Sequence, residues 1–210
     1  MCCDYTVAMC EVFRLAKDHG HEINVHFNMY QSLVQKARNS IFKKAYVGKY
    51  DAMVWIDGDQ GFSPTAFFKV LSHPVDVVGI PVRMKTDEER YNIRPESPLK
   101  HQWDADKELM VVQAIGTGFL KLSRDAIAAL WDRGEPYRSD GEDYRMICNL
   151  EIKNGSLISE DIQICERLQE AGYKLYADIE TTCSHFGTRK FHSSYLDHCL
   201  GWGESRSSDQ

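Results

Sequence analysis

Two aspartates one residue apart, Asp57 and Asp59, directly follow an apolar run in the sequence. The stretch reads YDAMVWIDGDQGFSPTAFF, and its apolar part, AMVWI, is typical of a buried strand. Carboxylates at this spacing repel each other, so a metal ion, a shared proton or exposure to water must compensate them. Oxygen ligands of this kind suit Mg²⁺ or Mn²⁺ bridging a diphosphate. Asp-Gly is also a common signal for a solvated turn, so the pair alone leaves both interpretations open.

Two other motifs with closely spaced aspartates fit the stretch poorly. An EF-hand loop that began at Asp57 would need Gly at its sixth position and Glu at its twelfth, where the chain has Phe62 and Phe68. A phosphatase motif of the form D-x-D-x-[TV] would need Thr or Val where the chain has Gly61.

A second pair of carboxylates, Glu160 and Asp161, opens the amphipathic segment SEDIQICERLQEAG. Ser159 is suited to cap this helix, and the helix dipole favours acidic residues in a first turn. Those two effects are a complete structural explanation of the pair. A carboxylate held ionised at a helix N-terminus is also a suitable general base, so a catalytic interpretation stays open.

A third group lies in the stretch CSHFGTRKF, which contains His185, Arg189 and Lys190. A lone histidine is usually structural, but one that accompanies a carboxylate pair can complete a metal site. The two cations beside it are suited to neutralise phosphate. Arg38 is also notable, because it lies next to the apolar stripe of its predicted helix. A charge there needs a partner, either a diphosphate or an acidic residue of the site.

The composition is that of a single globular domain: 210 residues, 43% of them hydrophobic and 27% charged. A formal net charge of -6 gives no global attraction to nucleic acid or to anionic membranes. The seven cysteines include no C-x-x-C pair, which favours a reducing compartment over a disulfide framework or a zinc site. Without an apolar run of membrane-spanning length or a visible signal peptide, we expect a cytoplasmic protein.

Helix and strand patterns alternate through the first eighty residues. Helices are predicted over residues 5–17, 31–47, 63–72, 124–131 and 159–172. Strands are predicted over residues 22–27, 52–56, 75–82 and 173–179, with two further strand pieces around the tripeptide at 116–118. This order predicts an α/β domain with a mostly parallel central sheet flanked by helices.

The polar stretches over 84–107 and 132–154 are predicted as loops. One domain is expected over residues 1–200, with a flexible tail over 201–210. The pattern begins on a helix, whereas an α/β domain of this kind usually opens on a strand. We therefore expect the first strand of the sheet to be missing.

The order of these pieces is more specific than any one of them. In chain order they are QKARN on a helix, a strand ending in DGD, DVVGIPV, GTGFLKL, SEDIQICERLQEAGYKLYAD and SHFG. Together they resemble a GT-A type glycosyltransferase. More narrowly, they are similar to the small glycosyltransferases of phages and large viruses, over roughly residues 4–187. The resemblance implies a single Rossmann-like, nucleotide-diphospho-sugar transferase domain, acting in the host cytoplasm if the protein is viral.

The resemblance also implies the ligands of the site. Asp57, Asp59 and His185 would hold Mn²⁺ or Mg²⁺ on the diphosphate of a UDP- or GDP-sugar. The residues expected around that donor are Gln31, Ser32, Arg38, Asn39, Asp57, Gly116, Thr117, Gly118, Arg189 and Lys190. In an inverting enzyme Asp161 would be the general base, with Glu160 the second choice. The acceptor would be a glycan or a modified base in DNA.

Two other functions remain open at this point. A nucleotidyltransferase also binds nucleotides with carboxylates and Mg²⁺, but it normally has a basic, Gly-rich loop after its first strand. A degenerate nucleotide- or sugar-binding protein without activity is the other alternative, and the missing first strand favours it. Lys85, Arg90 and Arg94 in the stretch 84–107 are expected to be solvated, with phosphate or acceptor contact as the alternative.

Overall fold

The structure is a computed structural model that describes residues 2–28, 33–96 and 102–205. Its helices are α1 (Cys3–Ala16), α2 (Val34–Val47), α3 (Pro64–Ser72), α4 (Arg124–Arg133), α5 (Glu160–Glu170) and α6 (Tyr195–Ser205). The first five correspond to the predicted helices, with small shifts at their ends. The predicted flexible tail begins inside α6, and residues 206–210 lie outside the described part of the chain.

The strands are short, and most of them belong to one central sheet. In chain order they are β1 (Ala52–Ile56), β2 (Gln60–Gly61), β3 (Val77–Gly79), β4 (Ile93–Pro95), β5 (Gln102–Asp104), β6 (Leu109–Ile115), β7 (Phe119–Ser123), β8 (Glu135–Ser139), β9 (Glu142–Met146), β10 (Glu151–Lys153), β11 (Ser156–Ile158), β12 (Leu175–Ala177), β13 (Ser184–Phe186) and β14 (Lys190–His192).

The central sheet has seven strands in the order β1-β7-β3-β12-β6-β4, with β5 also paired to β6. Among the strands that the structure describes, only the pair β3–β12 is parallel, so the prediction of a mostly parallel sheet is wrong. The cause is the long segment formed by β6 and β7, which runs against its neighbours in both halves of the sheet. Strand β7 separates β1 from β3, and β6 separates β12 from β4. Alternating helices and strands do not reveal such an insertion.

Helices cover both faces of the sheet, which makes the protein a mixed α/β domain with three layers. One apolar cluster joins the sheet to α2, α4 and α5 through Phe42, Ile127 and Leu168. The other joins it to α1 and α3 through Met9 and Phe68. The two clusters hold β1 from both sides, and this fixes the position of the aspartates that follow the strand.

Strand β1 lies at the edge of the sheet. Among the described residues it pairs with β7 alone, and no strand precedes α1. A cavity of about 690 Å³ runs along its open side, with residues 20–26 on the opposite wall. The strand predicted over 22–27 is therefore wrong: the segment packs Ile23 and Val25 against the core but forms no strand, and the cavity lies between it and the open edge of β1.

Both stretches predicted as loops contain strands. The first carries β4 and β5, and the second carries the hairpin β8–β9 and the start of the hairpin β10–β11. Asp140-Gly141 and Asn154-Gly155 form the two hairpin turns, and all four residues have positive φ, between 52° and 81°. Asp-Gly and Asn-Gly are the preferred dipeptides for turns of this hand, so the sequence contained the signal for both hairpins.

Candidate functional site

The end of β1 turns sharply and sends its two aspartates to different partners. The Asp57 N–H donates to the carbonyl of Gly118, 3.0 Å away, and the Gln60 N–H donates to the Asp57 carbonyl, also at 3.0 Å. These bonds fix the DGD turn against the connection between β6 and β7. Asp57 consequently faces α2 and α5, whereas Asp59 faces the loop after β3 and the strand β13.

Arg38 of α2 lies among three carboxylates. Its Nη1 donates to Glu160 Oε1 at 2.9 Å and to Asp161 Oδ1 at 2.8 Å, and its Nη2 lies 3.6 Å from Asp57 Oδ1. The guanidinium also lies over the ring of Trp55, 5.3 Å from the centroid. Arg38 is only 9% exposed. Of the two partners expected for this buried cation, a diphosphate or an acidic residue, the structure shows acidic residues.

Arg38 does not fully compensate the negative charge around it. Burial is the main cause that raises the pKa of Asp57, and the charges of Asp59 and Asp161 raise it further. The charge of Arg38 and a hydrogen bond from Trp55 Nε1, at 3.2 Å, act in the opposite direction without cancelling the rise. The raised pKa of Asp57 thus reflects mainly its burial. The contacts themselves place three carboxylates around one guanidinium, and this net negative charge favours the binding of a further cation.

Asp59 is held by two basic side chains. Its Oδ2 lies 2.5 Å from Lys85 Nζ and 3.5 Å from His185 Nε2. The hydrogen bond with His185 is the largest cause that lowers the pKa of Asp59 well below its ordinary value, and Lys85 lowers it further. Asp59 therefore stays ionised and is available as a ligand.

His185 has the orientation of a metal ligand. Its Nδ1 lies 2.8 Å from the carbonyl oxygen of Arg83, which can only accept, so Nδ1 carries a hydrogen. Nε2 faces Asp59 Oδ2 and donates to it when the ring is protonated, whereas in the neutral ring Nε2 has the lone pair that a metal ion would bind. Histidine ligands of metals typically donate their outer N–H to a backbone carbonyl in this way.

The predicted metal ligands are brought together in part. Within the described ranges, no group of three or more His, Cys, Asp or Glu side chains is arranged to hold a metal ion. Asp59 and His185 are in contact, while Asp57 is directed toward Arg38. One carboxylate and one imidazole fit a divalent cation whose remaining positions are filled by diphosphate oxygens and water.

The connection between β6 and β7 positions Asp161. Thr117 is 1% exposed, and its hydroxyl donates to Asp161 Oδ1 at 2.7 Å. A Cβ on Gly116 would lie 2.2 Å from the Asn92 side chain, whereas one on Gly118 would lie 3.7 Å from Asp57 Oδ2. The first glycine therefore permits a close approach of two segments, and the second lies beside the Asp57 carboxylate.

Asn39 is occupied by the backbone beyond β9. Its Oδ1 accepts hydrogen bonds from the N–H groups of Ile147 and Cys148, at 2.9 and 2.8 Å. Its Nδ2 donates to the Cys148 carbonyl at 3.2 Å and to Met146 Sδ at 3.3 Å. All four positions of the amide are filled, so the structure shows a structural role for Asn39 instead of the predicted nucleotide contact.

The cations of the turn between β13 and β14 face away from Asp59. Arg189 forms an ion pair with Asp87, and Lys190 lies 3.9 Å from Asp4. Their side chains are 60% and 51% exposed, so both remain accessible to a ligand. Gln31 and Ser32, also predicted around the donor, lie outside the described residues.

Sequence reasoning missed or misplaced several contributors. Trp55 was overlooked, although its position two residues before Asp57 places both side chains on the same face of the strand. Lys85 was expected to be solvated but contacts Asp59. Ser159, the predicted cap of α5, makes no capping hydrogen bond with its side chain.

The fold and this cluster define a mixed α/β domain with a charged site at the end of the edge strand β1. No family model and no curated protein matches the chain. Among solved structures, the crystal structure of A197 from STIV is similar, with a TM-score of 0.50 and 18% sequence identity. The match covers 82% of this chain and 76% of that chain, and at this identity it shows the fold alone. Within the described part of the chain, no helix is long and apolar enough to cross a membrane.

Proposed function

We propose that the protein is a metal-dependent glycosyltransferase that transfers a sugar from a nucleotide-sugar donor to an acceptor hydroxyl with inversion. The observation that carries this proposal is the meeting of Arg38 with Asp57, Glu160 and Asp161 beside the contact of Asp59 with His185. These residues come from separate parts of the chain and meet at the carboxyl end of a strand, where α/β sheets bind their ligands.

The donor side of the site consists of Asp59, His185 and the neighbouring cations. Asp59 Oδ2 and His185 Nε2 would hold Mn²⁺ or Mg²⁺, and the bound ion supplies charge stabilisation for the departing diphosphate. Asp57 adds negative charge next to this position, and Arg38 orients Asp57. Of the further cations, Arg189 and Lys190 are exposed enough to reach the nucleotide.

The acceptor side is built around Asp161. Arg38 and Thr117 both bind its Oδ1, and its Oδ2 has no hydrogen-bond partner among the described residues. In the transfer step, Oδ2 takes the proton of the acceptor hydroxyl while the acceptor oxygen bonds to the anomeric carbon. The bond from that carbon to the diphosphate oxygen breaks, and the diphosphate leaves with the electron pair. Glu160, bound to the same guanidinium, supports the position of Arg38.

The proposed acceptor is a glycan or a modified base in DNA, and the proposed compartment is the cytoplasm, that of the host if the protein is viral. A nucleotide- or sugar-binding protein without activity is a second candidate. It is favoured by the open edge of β1, where no strand from the described part of the chain lies next to the site.

Calorimetry with UDP and GDP, with and without Mn²⁺, tests the metal-dependent donor site. We expect nucleotide and metal to bind cooperatively, because each supplies ligands to the other. Equal nucleotide affinity with and without Mn²⁺ would overturn the metal assignment. A panel of nucleotide sugars, followed by release of nucleoside diphosphate, then separates an enzyme from a binding protein.

Asp161→Asn tests the proposed base. The substitution keeps the shape and the contacts of Oδ1 but removes the proton acceptor, so the transfer rate should fall by roughly two to four orders of magnitude. Donor binding should be unchanged, and slow hydrolysis of the donor should persist. Glu166→Gln, on the same helix but paired with Lys153, is the matched control. Normal transfer by Asp161→Asn would exclude this base, and NMR of the product anomer would then identify a retaining enzyme.

A further inference from the structure

The contact between Lys85 and Asp59 occupies an atom that the proposed reaction needs. Lys85 Nζ lies 2.5 Å from Asp59 Oδ2, the oxygen that His185 Nε2 faces at 3.5 Å. A cation that bridges Asp59 and His185 has to bind this oxygen. The ammonium group of Lys85 and a metal ion therefore compete for one ligand atom.

The base of the loop that carries Lys85 is fixed. Arg83 and Tyr91 form a β-bridge, and the Met84 N–H donates to the Arg90 carbonyl at 2.7 Å. The Arg83 carbonyl also accepts the hydrogen bond of His185 Nδ1. The candidate metal ligand and the loop are thus tied together at the residue that lies two positions before Lys85.

The side chain of Lys85 is free to move from this fixed base. It is 35% exposed, and its stem lies across Gly187, where a Cβ would be 3.2 Å from Lys85 Cδ. Rotation about the side-chain bonds alone can withdraw the ammonium group from Asp59. A diphosphate at Asp59 would give this cation a new partner within reach of the same loop.

We propose that Lys85 is a built-in counterion, which neutralises Asp59 in the empty site and transfers to the donor diphosphate when the metal ion binds. This inference rests on the proposed function. It makes metal binding unfavourable without nucleotide, because the ion must displace an ammonium group whose partner among the described residues is Asp59 alone. It makes the ternary complex favourable, because the displaced ammonium group then binds phosphate oxygens.

Lys85→Met tests the inference through two binding measurements with opposite expected signs. Without nucleotide, Mn²⁺ binding is measured from the EPR signal of free Mn²⁺. It should become about two- to fivefold tighter, because the ammonium group of a half-exposed ion pair no longer competes for Asp59. UDP or GDP affinity at saturating Mn²⁺, measured by calorimetry, should become roughly tenfold weaker, since one charged phosphate contact is lost. Lys85→Arg, which keeps the charge, should lie closer to wild type in both.

Two control variants separate this effect from general changes of charge. Arg90→Gln removes a cation of the same loop that pairs with Glu88. Lys153→Met breaks the ion pair of Lys153 with Glu166, whose charged atoms lie 2.6 Å apart. The side chains of this pair are 43% and 36% exposed, close to the 35% and 42% of Lys85 and Asp59, so the two ion pairs are matched in exposure. Both controls should bind Mn²⁺ and nucleotide as wild type does.

The outcomes distinguish this inference from the proposed function. If wild type binds Mn²⁺ with nucleotide but Lys85→Met shows unchanged affinity for Mn²⁺, the competition is refuted and the proposed function stands. Unchanged nucleotide affinity in Lys85→Met refutes the transfer of Lys85 to phosphate. An equal effect of Arg90→Gln refutes the specific role of Lys85, because a general change of charge would then explain both variants. If wild type binds no Mn²⁺ even with nucleotide, the proposed function itself fails.

Discussion

Removing the guanidinium of Arg38 should destabilise the protein in a way that depends on pH. Arg38→Met keeps the aliphatic length of the side chain but leaves Asp57, Glu160 and Asp161 without their shared counterion. Two of the three contacts are short, at 2.8 and 2.9 Å, and the arginine is 9% exposed. The variant therefore exposes the carboxylates to one another in a partly dehydrated site.

The expected magnitude follows from the burial of the cluster. Breaking a buried ion pair by removing one partner costs about 3–5 kcal/mol, because the remaining charge is left uncompensated. For a chain of this size, that loss corresponds to a fall of roughly 6–20 °C in melting temperature. The loss should shrink as the pH falls from 7 to about 4.5, because burial raises the pKa of Asp57 and the variant lacks the guanidinium that opposes this rise.

Urea unfolding at pH 7 and at pH 4.5 measures both effects. Arg124→Met is the matched control: the Arg124 guanidinium also lies over an aromatic ring, that of Tyr46 at 5.2 Å, but donates to the carbonyl oxygens of Ala45 and Tyr46. Its loss of stability should be the same at both pH values, since no carboxylate is left unpaired. A loss below about 1 kcal/mol for Arg38→Met, or one equal at both pH values, would refute the reasoning.

Two further substitutions test other parts of the fold. Asp178 is 1% exposed; burial raises its pKa, but hydrogen bonds from His73 and Thr181 and the charge of Lys69 bring it down to about 2. A depressed pKa stabilises the fold at pH values above the ordinary pKa of the group. Asp178→Asn should therefore cost about 2 kcal/mol in urea unfolding at pH 7, and less as the pH falls from 4 toward 2. A cost that stays constant over this range would contradict the argument. Gly116→Ala should lower the free energy of unfolding by about 1–3 kcal/mol, because the added Cβ clashes with Asn92. Gly118→Ala should cost little, because the nearest atom to its Cβ would lie 3.4 Å away. Equal losses of stability for the two variants in calorimetric melting would contradict the packing argument.

Local sequence patterns were sufficient for the parts of the protein that local physics determines. The apolar periodicity of α1, α3 and α5 and the Ser63-Pro64 start of α3 identified the helices, and the Ser63 side chain indeed accepts the Ala66 N–H. The apolar run before Asp57 identified β1 for the same reason. The position of Arg38 next to a buried stripe was enough to predict that it has a partner, because a buried charge is too costly without one, but not whether that partner is a diphosphate or an acidic residue.

Non-local pairing was not accessible in the same way. Nothing in the composition of β7 shows that it lies between β1 and β3, so the direction of the sheet could not be read from the chain. Asn39 was misassigned for a similar reason. In the sequence it follows Arg38 and was therefore predicted to contact the nucleotide, and only the fold shows that its amide binds the backbone at Ile147. The turns at Asp140-Gly141 and Asn154-Gly155 were different, since their signals were present in the sequence and only the polar composition around them concealed two hairpins.

The charge balance of the site connects the proposed reaction with the inference about Lys85. Four carboxylates meet at the end of β1, those of Asp57, Asp59, Glu160 and Asp161, and the permanent cations that contact them are Arg38 and Lys85. A nucleoside diphosphate adds further negative charge, so it cannot enter this site favourably unless positive charge enters with it. A divalent cation on Asp59 and His185 meets that requirement and also frees Lys85 to bind the diphosphate. The proposed metal dependence and the proposed transfer of Lys85 therefore rest on the same excess of carboxylates, and an assay that finds nucleotide binding without metal would count against both.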